Sequence, residues 1–249
     1  MSALPTPKPA APVHQPMPEP APNAELLRTL RRLVRGLSAL LLGLPLTLFV
    51  CVQSAVTDWL RPMGVLPPLF GMSLLLFGLM EMGHFQKQER VWQSALDRAK
   101  MLGVVNLGLA PFIYWWNRMP GEMAFTVSIG LLVLSSLLFL FNLNYVLQRL
   151  AAMLPDETLR ADTHFFTTLN LGLVLALLAL VATYFVLAQI DTLPRLLIEF
   201  TERLYDLRRT LLVFLVILPV AMTMTLIWKI KEVVLASVFS GAEGNGGKP

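Results

Sequence analysis

Long uncharged stretches constrain this chain more than any other feature of its sequence. Six of them contain no Asp, Glu, Lys or Arg, and together they make up just over half of the chain. They are residues 36–57, 62–80, 101–117, 123–148, 163–190 and 210–228. A charge at mid-bilayer costs about 2.5–3.5 kcal/mol or more, and a helix of about 20 residues crosses the hydrocarbon. The sequence therefore predicts an all-α bundle of six transmembrane helices.

The composition agrees with a membrane protein and excludes several other classes. Apolar residues make up 55% of the chain and charged residues 14%, whereas soluble domains carry about 25% charged residues. A single cysteine, Cys51, excludes a disulfide-stapled scaffold. The net charge of +4 comes from residues that flank the spans, so it indicates contact with anionic lipid rather than with nucleic acid.

The two ends of the chain differ from the membrane domain, which we place at residues 25–240. Residues 1–24 contain eight prolines and almost no charge, which is typical of a disordered cytoplasmic tail. An SH3- or WW-type ligand is the alternative, although no clean PxxP with a flanking Arg is present. Residues 241–249 are rich in glycine and predict a second flexible tail.

The distribution of Lys and Arg predicts the orientation. Four arginines (Arg28, Arg31, Arg32 and Arg35) precede the first tract. The apolar run of this tract is longer than that of a cleaved signal peptide, which is typical of a retained signal-anchor. Most of the other Lys and Arg residues fall on the same side if the tracts alternate in direction. We therefore expect a plasma (cell inner) membrane protein with both termini in the cytoplasm. Residues 191–209 are an exception to the positive-inside rule, because this orientation places their four arginines on the outer side of the membrane.

Prolines and amphipathic connectors modify the six spans. Pro62, Pro67 and Pro68 predict that the second span begins kinked or unwound, and Pro111 interrupts the short third span. The fourth span is expected to extend past the bilayer to about Met153. Residues 85–99 and 193–211 carry apolar residues at helical spacing, which predicts surface-lying connector helices or, alternatively, docking faces for a partner or lipid head groups.

Small residues predict where the helices approach one another closely. The first tract carries a stripe of them at three- and four-residue steps, and so does the fifth. Such stripes allow close helix packing in a bilayer, either within the chain or in a homo-oligomer. The stripe of the first tract consists of Gly36, Ala39, Gly43, Thr47, Cys51 and Ser54. Residues 106–109 and 170–173 also share the sequence Asn-Leu-Gly-Leu, which hints at duplicated hairpins.

Several polar residues fall at one predicted depth, about 9–10 Å below the cytoplasmic edge of the bilayer. Uncompensated polar groups in hydrocarbon are costly, so these side chains should face inward and find partners. They form either a cytoplasm-facing polar cavity with Glu81 as a proton or cation site, or interhelical hydrogen bonds that hold the bundle together. The residues of this polar layer are Glu81, Asn106, Asn142, Asn170 and Thr225.

The sequence contains no recognisable catalytic motif, no cofactor motif and no cluster of His and Cys for a metal. The sequence therefore favours a non-enzymatic, multi-pass membrane protein that binds no cofactor and acts as a scaffold or accessory subunit of a membrane complex. Its expected partners are the lipid bilayer and a membrane protein or a second copy of the chain. A small transporter or channel that uses the polar layer is the alternative.

Overall fold

The computed structural model describes residues 22–86, 88–119, 121–154, 157–188 and 216–236, and these are helical with short connections and no strand. Residues 1–21 of the predicted tail 1–24, the connector 193–211 and the tail 241–249 lie outside the described residues. The helices are α1 (Pro22–Val56), α2 (Leu66–Met82), α3 (Arg90–Leu109), α4 (Pro111–Arg118), α5 (Met123–Met153), α6 (Glu157–Ala188) and α7 (216–236).

Helices α1 and α2 pack against each other through glycines. A Cβ atom on Gly36 would lie 2.7 Å from the backbone oxygen of Gly78, and one on Gly71 would lie 2.8 Å from Thr47 Oγ1. Only glycine permits these backbones to approach so closely. Gly36, Gly43 and Thr47 of the small-residue stripe therefore pack against α2 within the chain. Helix α1 also begins earlier than the tract, so that residues 22–24 belong to it rather than to the Pro-rich tail.

The start of the second span is irregular, as its prolines predict. Residues Arg61–Met63 form a single 3-10 turn, and Gly64 follows with a φ of 61°, a conformation that favours glycine. Helix α2 begins only at Leu66, so its N-terminal limit lies four residues inside the predicted tract 62–80. Pro67 and Pro68 fall in its first turn, where the missing N–H groups would have no helical partner in any case.

The third tract is not one regular rod, and its connector is not a surface helix. Residues 90–99 of the connector and residues 101–117 of the tract form α3 and α4, which meet at a break before Pro111 where Ala110 keeps helical torsion angles. The apolar side chains of the connector are packed into the core instead of lying on a surface, because α2 and α5 cover them. These buried side chains are Trp92, Ala95, Leu96 and Ala99.

Helix α4 carries the aromatic end of the third tract. The Arg118 guanidinium donates a hydrogen bond of 2.7 Å to the hydroxyl of Tyr114, and Trp115 stacks on Phe125 of α5 with ring centroids 6.5 Å apart. Asn117 Nδ2 donates to the backbone oxygen of Ser54 at 3.2 Å, which ties α4 to the end of α1. These contacts hold α4 against the ends of α1 and α5.

Helices α5, α6 and α7 form the other part of the bundle. Helix α5 ends at Met153, the position that the sequence predicts for the end of the fourth helix. Its buried face joins a core that also includes Leu226, Ile227 and Ile230 of α7. Helix α6 is continuous from Glu157 to Ala188, whereas α3 and α4 are broken at Pro111, so the two copies of the short repeat lie in helices of different shape.

Two of the described helices are long and apolar enough to cross a membrane, namely Arg28–Val56 and Met123–Met153. Two further helical stretches, Leu66–Met82 and Thr163–Ala179, are apolar but shorter. Only 33% and 22% of the most apolar parts of the two long helices are buried inside the described structure. The other residues of these parts are half-buried or exposed, and the exposed apolar side chains include Leu42 and Phe49 of α1 and Val127 and Leu131 of α5.

Candidate functional site

Asn170 lies in a buried polar network between α6 and α7. Its side chain is 2% exposed, and Nδ2 donates hydrogen bonds to Thr223 Oγ1 at 3.0 Å and to the backbone oxygen of Pro219 at 3.4 Å. Both acceptors belong to α7. The amide therefore joins two helices that are distant in sequence.

Asn144 of α5 completes this network from a third helix. Asn144 Nδ2 donates to Thr223 Oγ1 at 3.0 Å, and the Thr223 hydroxyl lies 2.8 Å from the oxygen of Pro219. The hydroxyl thus accepts from both asparagine amides, and its single hydrogen has Pro219 O as the nearer acceptor and Asn144 Oδ1, at 3.3 Å, as the farther one. We call Asn144, Asn170 and Thr223 the Asn–Thr–Asn network. It is packed and uncharged, and it links α5, α6 and α7.

Two residues of the predicted polar layer lie outside this network. Asn142 Nδ2 donates to Leu138 O at 2.8 Å, and Thr225 Oγ1 donates to Ala221 O at 2.9 Å, so each bonds only within its own helix. Each lies two positions from the residue that does enter the network. Two residues correspond to about 200° around an α-helix, which places them on nearly opposite faces.

The sequence pattern does identify Asn144 and Thr223 as inward-facing residues, but their predicted depth in the bilayer is not sufficient to do so. Asn144 continues the helical spacing of the buried residues Leu140, Leu147 and Ala151. Thr223 shares its face with the buried residues Leu226, Ile227, Ile230 and Val234. Combining depth with the apolar face of each helix would have selected both residues.

Asn106 of α3 lines a separate cavity of about 160 Å³. The side chain is 2% exposed, and its Oδ1 atom has no hydrogen-bond partner in the described part of the chain. The described hydrogen bonds do not join it to Asn170. The cavity and the Asn–Thr–Asn network nevertheless meet at α7, because Pro219 lines the cavity and also accepts the hydrogen bond from Asn170.

Glu81 lies in the last turn of α2, and it neither lines the cavity nor bonds to the Asn–Thr–Asn network. One of its carboxylate oxygens, Oε2, is buried and unpartnered within the described residues. Lys100, the cation at the start of the third tract, pairs instead with Asp97 at 3.2 Å. The described residues contain no group of three or more His, Cys, Asp and Glu side chains that could hold a metal ion.

Comparisons with protein-family models, with curated proteins and with solved structures found no match to this chain. Functional conclusions therefore depend on the geometry. It provides a neutral network suited to holding helices together, a largely apolar cavity whose lining residues include Thr47 and Asn106, each with an unpartnered oxygen among the described residues, and a half-buried carboxylate at Glu81.

Proposed function

We propose that the chain is an integral membrane protein with six helical spans, formed by α1, α2, the α3–α4 pair, α5, α6 and α7. The observation that supports it best is the exposure of apolar side chains along Arg28–Val56 and Met123–Met153. In a soluble protein a long apolar helix is normally buried, because exposing it to water costs about 25 cal/mol per Å². In a bilayer the same faces contact lipid tails at no such cost.

The dimensions of the α3–α4 pair are compatible with a span despite its break. Twenty residues separate Arg98 from Arg118, and at 1.5 Å per residue they rise about 30 Å, the thickness of the hydrocarbon layer. Lys100 can extend toward the head groups at one end, and the Tyr114 and Trp115 rings occupy the other. We place the cytoplasm on the Lys100 side, with both termini there, in the plasma (cell inner) membrane.

Within this architecture we propose a non-enzymatic role as a scaffold or accessory subunit of a membrane complex. The Asn–Thr–Asn network supports it, since these polar side chains serve to hold α5, α6 and α7 together. The outward apolar faces of α1 and α5 leave room for lipid or for a partner helix.

The scaffold role predicts a partner that copurifies. The tagged chain is purified in mild detergent at native expression, and proteins and lipids are quantified by mass spectrometry. A membrane protein in fixed stoichiometry across several detergents supports the proposal, and purification of the chain alone contradicts it. Leu131→Trp on α5 and Leu42→Trp on α1 then identify the binding face, because both side chains point outward.

A small transporter or channel is the second candidate, and the unpartnered oxygens of Asn106 and Glu81 favour it. In proteoliposomes it predicts proton or cation flux that Glu81→Gln abolishes. Glu122→Gln is the matched control, because Glu122 is exposed at the opposite end of the bundle. Absence of flux in the native chain removes this candidate and leaves the scaffold role untouched.

A further inference from the structure

One face of α1 carries a row of exposed arginines just before the first uncharged tract. On an ideal helix these arginines fall within an arc of about 100°. The opposite face carries Leu33 and Leu37, which are fully buried. The exposed residues of the row are Arg28, Arg31, Arg32 and Arg35.

The four arginines have no ion pair and no side-chain hydrogen bond to any residue within the described part of the chain. By contrast, Lys100 pairs with Asp97 at 3.2 Å, and Arg149 donates to the hydroxyl of Tyr145 at 2.8 Å. Unpaired guanidinium groups can bind an anion, and their fork of N–H donors matches the oxygens of a phosphate group.

An apolar stripe continues the arginine row along the same face of α1. Leu42, Leu46 and Phe49 fall within the same arc, and all three side chains are exposed. From Arg35 to Leu46 the helix rises about 16 Å, which is close to half of the hydrocarbon thickness of about 30 Å. The stripe therefore matches the length of the acyl chains of one leaflet. We call the arginine row and the apolar stripe together the α1 outward face.

The arginine row lies at the depth of phospholipid head groups when the first tract occupies the hydrocarbon. Arg31 and Arg35 are about 6 Å apart along the helix, and the polar layer of each leaflet is about 5–7 Å thick. A protein partner would need acidic side chains at this depth. An anionic leaflet supplies phosphate groups there without any partner, which favours lipid as the occupant.

We propose that the α1 outward face binds an anionic phospholipid of the cytoplasmic leaflet. Its phosphate is held by Arg31, Arg32 and Arg35, and its acyl chains lie along Leu42 and Leu46. The charge of the arginines selects an anionic lipid over a zwitterionic one. This inference rests on the proposed membrane architecture, and it leaves the outward face of α5 for a protein partner.

A fluorophore on the apolar stripe tests which lipid lies there. Leu46→Cys is labelled with bimane in a Cys51→Ser background, and the full chain is reconstituted in phosphatidylcholine vesicles. Increasing amounts of phosphatidylglycerol or phosphatidylcholine with a nitroxide on the acyl chain are then included, because the nitroxide quenches bimane at short range. We expect phosphatidylglycerol to quench at a concentration at least about fivefold lower, which is the preference that one arginine near an anionic surface gives.

Leu138→Cys on α5 is the matched control site. Leu46 and Leu138 are both exposed, and each lies ten residues from the cytoplasmic end of its own tract. We expect a smaller preference for phosphatidylglycerol at Leu138, because Arg149, the arginine that follows this tract, is already bonded to Tyr145.

Two sets of substitutions test the arginines. The triple variant Arg31→Gln, Arg32→Gln, Arg35→Gln should reduce the preference at Leu46 to the value at Leu138. The triple variant Arg31→Lys, Arg32→Lys, Arg35→Lys keeps the three charges and should retain a preference for phosphatidylglycerol. A preference retained with lysine and lost with glutamine assigns the effect to charge and not to misfolding.

Three results would contradict the inference. Equal quenching by the two lipids at Leu46, or the same preference at Leu46 and Leu138, would overturn the lipid site and leave the membrane architecture intact. Quenching at Leu138 but not at Leu46 would show that a protein covers the α1 outward face, which also overturns the site. Absence of quenching at both positions would contradict the membrane architecture itself, and the lipid site with it.

Discussion

The contact between α1 and α2 gives a sharp prediction, because two glycines bring their backbones together. A Cβ atom on Gly36 would lie 2.7 Å from the carbonyl oxygen of Gly78 and 2.8 Å from Cγ of Met82. The Met82 side chain can move, but the carbonyl belongs to the backbone of α2. Gly36→Ala therefore requires the two helices to separate.

The magnitude follows from two opposing effects. Forcing an extra methyl group into a tight contact costs about 1–3 kcal/mol, while replacing glycine by alanine inside a helix gains about 1 kcal/mol. Gly130→Ala isolates the second effect, because nothing lies within 4 Å of a Cβ at that position of α5. We expect the Gly36 variant to be less stable than the Gly130 variant by about 1–3 kcal/mol.

The free energy of unfolding is measured for both variants by titrating SDS into mixed micelles and following the loss of helicity. A Gly36→Ala protein as stable as the Gly130→Ala protein would refute the close contact between α1 and α2. Gly78→Ala provides a second test from the partner helix, since a Cβ there would lie 3.0 Å from Gly36 O.

Two further predictions concern buried side chains and use the same titration. Thr223→Val removes the acceptor for two interhelical hydrogen bonds, each worth about 0.6 kcal/mol and at most about 1.7 in a bilayer, so it should cost about 1–3 kcal/mol. Thr225→Val should change stability by less than about 0.5 kcal/mol, because Thr225 bonds only within α7, and equal losses for the two variants would contradict the network. Trp92→Ala should cost about 3–5 kcal/mol, since Trp92 is fully buried, whereas Trp59→Ala at an exposed position should be nearly neutral. A neutral Trp92→Ala would mean that residues 85–99 lie on a surface after all.

The sequence predicts the helical class and the approximate position of each described helix, because charge-free tracts and helix-breaking prolines are local features. It predicts the irregular start of α2 for the same reason. It does not predict that α1 starts well before its tract, because positive charges near the end of a span do not stop a helix.

The buried face of each helix is harder to predict, because it depends on neighbours that are distant in sequence. Residues 85–99 have the pattern of a surface helix, and only the positions of α2 and α5 show that Trp92 is covered. The polar layer illustrates the same limit. Depth alone cannot distinguish Asn142 from Asn144, since two residues change the depth by only about 3 Å but the face by about 200°.

The topology of the α3–α4 pair tests the six-span architecture most directly, because this is its least regular span. Arg98→Cys and Arg118→Cys are introduced separately into a Cys51→Ser background and labelled with a membrane-impermeant maleimide in vesicles of both orientations. Six spans predict that Arg98→Cys is labelled from the cytoplasmic face and Arg118→Cys from the opposite face. Labelling of both from the same face would contradict this span and the orientation of every helix that follows it.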